Sequence, residues 1–101
     1  MKNMNHKMSP QQAELFKRID EILFYIWDPI GVNSTACARD EYYSYVPVIY
    51  SIAQKKNCEN EIAETLNSIQ TIRIGLGSGL EHCKFTAEQI FEWSEILGFQ
   101  K

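Results

Sequence analysis

Residues 9–29 read SPQQAELFKRIDEILFYIWDP, and their reading decides the fold. Ser9 suits a helix N-cap, Pro10 takes the first helical position, where its missing N–H costs nothing, and Gln12 completes a capping box. Leu15, Phe16, Ile19, Ile22, Leu23, Ile26 and Trp27 then recur at the helical period, with Lys17, Arg18, Asp20 and Glu21 on the other side. Pro29 disfavours helical geometry at Asp28, so the helix ends near Trp27.

Working outward, DPIGVNSTACARD (residues 28–40) has the composition of a loop. A second helix is expected from about Ser44. Pro47 falls in its first turn, Val46, Ile49, Tyr50 and Ala53 form its buried stripe, and Lys55, Lys56 and Asn57 suit its C-terminal end. A third helix follows, with Asn57 as its cap, Glu59 and Glu61 at its start, a buried row Ile62, Leu66, Ile69 and Ile72, and Gly75 as a left-handed stop. Residues 75–84 read as a flexible connector. Thr86 and Gln89 then match a capping box and Phe85 and Ile90 a hydrophobic staple, which predicts a last helix through Ile90, Phe91, Ser94 and Leu97, ended by Gly98. No strand-like alternation or internal repeat is present. The expected architecture is all-α, a compact bundle of about four helices over residues 9–101, after a flexible tail at residues 1–8.

The chain has 101 residues, with ten Lys and Arg against thirteen Asp and Glu, a net charge of −3. That balance disfavours nucleic acid as a direct partner, because phosphate backbones demand clustered cations. Charge is uneven: residues 1–19 sum to +3, 20–50 to −4, 51–75 to zero and 76–101 to −2, so the folded body is more acidic than the total. Cys37, Cys58 and Cys83 are odd in number and widely spaced, neither a disulfide framework nor a zinc set, and read as partly buried free thiols in a reducing cytoplasm. No metal or cofactor is expected. The polar stretch Met1–Met8 lacks a signal-peptide core, and no apolar run approaches the ~20 residues of a membrane span.

Candidate chemistry is thin. Gly75, Gly77 and Gly79 follow a helix, whereas phosphate-cradling loops follow a strand and lead into a helix. The pairs Asp20–Glu21 and Asp40–Glu41, with Glu59, Glu61 and Glu64, mostly fall on polar faces. Ser34, Ser51, Ser68 and Ser78 have no histidine placed to activate them, His82 falls in a loop, and no enzymatic activity is expected. A small enzyme would require a deep pocket with converging carboxylates or His82.

Binding features are stronger. Asp40-Glu41-Tyr42-Tyr43-Ser44-Tyr45 joins two acids to three tyrosines, the composition of an interface anchor. Tyr42 or Tyr45 is expected in the core, and Arg39 and Asp28 are expected to tie the loop by an ion pair. Glu88, Glu92 and Glu95 share one face of the last helix opposite Ile90 and Leu97, an acidic ridge suited to a basic partner.

Trp27-Asp28-Pro29-Ile30-Gly31 followed by Asp40-Glu41-Tyr42, and then by the Ile62–Gly75 helix, resembles a group of small all-helical bacterial domains. In these a W-D-P corner ends the first helix and D-E-Y opens the next helical region. The likeness spans about residues 15–76. Some members of the group look like immunity proteins encoded beside toxins of contact-dependent growth inhibition systems. The resemblance implies a scaffold signature at Trp27, Asp28, Pro29 and Tyr42, no catalytic residues, and variable exposed positions that match each toxin.

The expectation is therefore a cytoplasmic immunity protein that covers the active-site cleft of a cognate toxin domain, a nuclease, through Asp40, Glu41, Tyr43 and Tyr45 or through Glu88, Glu92 and Glu95. Free, it would be a monomer or weak homo-oligomer. The alternative is an orphan regulatory or adaptor domain of the same fold.

Overall fold

A computed structural model describes residues 8–101 of the chain, so the expected tail lies almost wholly outside the described residues. Helix α1 (Pro10–Ile22) starts at the expected cap: Ser9 Oγ accepts the Gln12 N–H at 3.1 Å, and the Ser9 N–H donates to Gln12 Oε1 at 2.9 Å. It continues as a π-turn, Leu23–Trp27, in which the Asp28 N–H donates to Leu23 O at 3.0 Å, five residues back. A 3₁₀ turn at Tyr43–Tyr45 leads into α2 (Val46–Ala53), two residues later than the expected start at Ser44, with Pro47 in the first turn. Helix α3 (Glu59–Ser68) also runs into a π-turn, Ile69–Arg73, and α4 (Leu80–Ile96) completes an all-α bundle. Among the described residues there is no strand, and no helix is long and apolar enough to cross a membrane.

Helices α1 and α2 run antiparallel: Gln12 meets Gln54 at one end (3.1 Å), and Trp27 meets Tyr42 and Tyr45 at the other. Helices α3 and α4 also run antiparallel, joined at one end by the Gly79 N–H donating to Asn67 Oδ1 (2.9 Å). At the other end Gln100 accepts the Asn57 N–H (3.0 Å) and donates to Lys55 O (2.7 Å) and Ser94 Oγ (2.9 Å). The core between the pairs contains Leu15, Ile19, Leu23 and Trp27 of α1, Val46 and Ile49 of α2, Ile62 and Leu66 of α3, and Cys83, Ala87 and Ile90 of α4. Burying each large aliphatic side chain contributes about 1.5–3 kcal/mol of transfer free energy. Ser94, also buried, donates to Ala53 O at 2.7 Å and so ties α4 to the end of α2 without leaving an unpaired hydroxyl.

Several expectations are corrected. Asn57 is not a cap. It sits at φ 55° in the connection, and Cys58 holds the N-cap position of α3 without a side-chain bond. Ile72 is 79% exposed rather than buried. The π-turn inserts an extra residue into the helical phase, which swings Ile72 outward and brings Ile74 against the core instead.

The Thr86–Gln89 box does not form, because α4 already begins at Leu80. Thr86 is buried mid-helix with its hydroxyl donating to His82 O (2.9 Å), and Phe85 is half exposed rather than a staple. The connector is accordingly only residues 75–79, and His82 stands on a helix, not in a loop. Gly75 (φ 85°) and Gly98 (φ 93°) take the left-handed conformation expected of helix stops.

Candidate functional site

The segment expected to bind a partner is held by the end of α1. Asp28 adopts φ 35°, and its carboxylate gathers three donors: the Val32 N–H (2.8 Å), the Asn33 N–H (3.1 Å) and the Tyr42 hydroxyl (2.7 Å). The Tyr42 oxygen in turn accepts the Ile30 N–H at 3.0 Å. Tyr42 packs against Trp27, both rings are buried, and burial together with the hydrogen bond to Asp28 pushes the phenol above its ordinary range. Asp28 is thus fully used by the loop and does not pair with Arg39. The guanidinium of Arg39 reaches Asp20 instead, with two contacts of 3.2 Å, and lies over the rings of Phe24 and Tyr25.

His82 completes the corner from α4. Its Nε2 lies 2.7 Å from Ile26 O and 3.2 Å from Trp27 O, so the network assigns a proton to Nε2, shared between carbonyls that the π-turn leaves open. The buried Trp27 indole N–H has no acceptor in hydrogen-bonding geometry. Burial raises the Cys83 thiol, and the approach of that indole N–H pulls it partly back without completing a bond. Cys58 is likewise raised by burial, so both core thiols are poor nucleophiles, whereas Cys37 is exposed.

With Tyr42 anchored inward, Asp40, Glu41 and Tyr43 are exposed, and Phe16 supports Tyr43 edge-on at 6.1 Å. Tyr45 is half buried against Trp27. Glu88, Glu92 and Glu95 are all exposed on α4 while Ile90 is fully buried. None of these five carboxylates forms an ion pair with a described residue. The two acidic sets are not joined by a hydrogen bond or a shared cavity. Glu88 borders a separate depression of about 230 Å³ with Glu59, Asn60 and Lys84.

A feature absent from the sequence reading lies beside the tyrosine segment. Between the start of α2 and the second π-turn runs a groove of about 390 Å³. Tyr45, Val48, Ile69 and Ile72 form its apolar surface, and Ser44, Thr65 and Ser68 add hydroxyls. Arg73 is its one charged lining residue. The hydrophobic pattern offered no signal for it, because Ile72 reads as core unless the π-turn is known.

No family model, curated protein or solved structure matches the chain, so the likeness to the W-D-P…D-E-Y domains rests on those residues themselves.

Proposed function

We propose that this chain is an immunity protein that binds and neutralises a cognate bacterial toxin domain, a nuclease of a contact-dependent growth inhibition system, by covering its cationic active-site cleft. The observation that carries the reading is the outward display of Asp40, Glu41 and Tyr43 on a segment whose next-door residue, Tyr42, is locked into the corner by Asp28 and Ile30. A segment already ordered by the fold loses little entropy when a partner covers it. Unpaired carboxylates around an exposed tyrosine suit a basic cleft, and they speed encounter as well as select the partner. The acidic row Glu88, Glu92 and Glu95 is a second face for the same chemistry. Inhibition of this kind needs no bond made or broken by the protein, no cofactor and no contact with nucleic acid, and it places the protein in the cytoplasm of the producing cell.

The test pairs the purified chain with the toxin domain encoded by the neighbouring gene. Binding that weakens at high salt and with D40K/E41K, together with protection of cells expressing the toxin, supports the reading. Absence of both binding and protection rejects it. E88K/E92K/E95K in parallel assigns the face. The groove favours the second reading, an adaptor domain that engages another protein, which a gene without a large secreted neighbour would support.

A further inference from the structure

We propose that the groove between α2 and the second π-turn is a docking site for a segment of a protein partner that carries a large apolar side chain beside a carboxylate. The inference is independent of the toxin reading, because the groove has the opposite electrostatic character to the acidic faces. Val48 and Ile72, on facing walls, are 44% and 79% exposed, an unusual placement for aliphatic side chains flanking one opening. The volume, about 390 Å³, accommodates one or two large side chains. A small molecule seated inside would leave the outer surface of Ile72 in water, whereas the surface of a partner would cover it.

The occupant's charge follows from Arg73. It is the sole ionic group on the lining, it is exposed, and it has no ion pair with a described residue. Its guanidinium offers a fork of donors that a carboxylate fits, while the neighbouring hydroxyls of Ser44 and Ser68 can accept or donate to a peptide backbone. A basic occupant would meet like charge here. An entirely apolar one would bring Arg73 no partner.

The probe is the blocked peptide acetyl-Gly-Leu-Glu-Trp-Gly-amide against its counterpart with Gln in place of Glu, each titrated into the full chain and followed by amide chemical shifts. The expected result is saturable shifts centred on Ser44, Val48, Thr65 and Ile72, with the Glu peptide about threefold tighter, the scale of an exposed ion pair. R73Q should equalise the two peptides, and I72S should weaken both. These are surface changes, and unaltered circular dichroism would show the variants folded. Equal affinity of the two peptides for the unaltered chain, shifts centred elsewhere, or no saturation at millimolar peptide overturns the proposal. So does concentration-dependent self-association abolished by R73Q, which would make a second copy the occupant. Tighter peptide binding on deletion of residues 1–7 would assign the groove to the chain's own N-terminal segment and overturn it equally.

Discussion

Helices α1 and α3 both end in a five-residue π-turn, with a positive-φ residue directly after the first (Asp28) and one position further on after the second (Gly75), yet the two ends have opposite fates. At Leu23–Trp27 the extra residue helps bring Trp27 into the core, and the carbonyls it leaves open are met by His82. Asp28 and Tyr42 then stitch the following loop to the corner. At Ile69–Arg73 the extra residue turns Ile72 to solvent, and the chain leaves through Gly75 with Arg73 unpaired among the described residues. A π-turn by itself therefore decides neither stability nor binding. What decides is whether neighbouring elements supply partners for the groups it displaces. The first end packs inward, and the second leaves Ile72 and Arg73 at the surface.

The contrast can be broken most sharply at Trp27. Trp27→Ala should cost about 3–5 kcal/mol, enough to threaten folding of a domain this size, read as a loss of midpoint in urea. Tyr42→Phe should cost about 1.5–3 kcal/mol, because it removes a hydrogen bond to a charged group and strips the Ile30 N–H of its acceptor.

Tyr42 also sets a pH dependence. Its folded-state value is raised above the ordinary tyrosine value of 10.0, so the unfolded chain releases the proton first, and stability present below about pH 10 is lost as pH climbs beyond it. The buried thiols of Cys58 and Cys83, raised from 9.0, begin the same decline about one unit earlier. Urea titrations from pH 8 to 11 should show the later part of this decline flattened in Tyr42→Phe. An unchanged alkaline limb would mean that the corner does not hold the phenol neutral.

At the open end the effects should be smaller. Gly75→Ala meets no atom within 4 Å but forces an alanine to φ 85°, at a cost of about 1 kcal/mol in the same assay. Ile72→Ser should change stability by less than about 0.5 kcal/mol, since its side chain is mostly in water already. A loss of 2 kcal/mol or more there would erase the distinction between the two ends.

Legibility followed the range of the interactions. The α1 cap was readable because Ser9, Pro10 and Gln12 act on neighbours three residues away. The W-D-P corner was readable in outline, since Trp27 buries, Asp28 accepts loop N–H groups and Tyr42 reaches the core. Its wiring was not. Which acid Arg39 chooses depends on Asp28 being already engaged and on Asp20 lying across the turn.

The start of α4 is hard to read because, apart from Ile90, its buried stripe is the small or polar Cys83, Thr86, Ala87 and Ser94, and the hydroxyls of Thr86 and Ser94 find their partners only in the folded chain. The local cap pattern at Thr86 competes with that weak stripe in the sequence. The π-turns leave no composition to read, so the groove beside the second one is invisible in the sequence, whereas the exposed Asp40, Glu41, Tyr43, Glu88, Glu92 and Glu95 lie where hydrophobic patterning leaves them.

Gln12 at the entry to α1 meets Gln54, and Gln100 beyond α4 grips Lys55 and Asn57, so the two extremities of the bundle converge on one short bend. Closely placed ends can be joined by a brief linker and the chain reopened elsewhere. A circular permutant cut at the exposed Gly77 would open the α3–α4 connection while Asn67 still holds Gly79 at the start of α4, turning that connection into a pair of graftable termini.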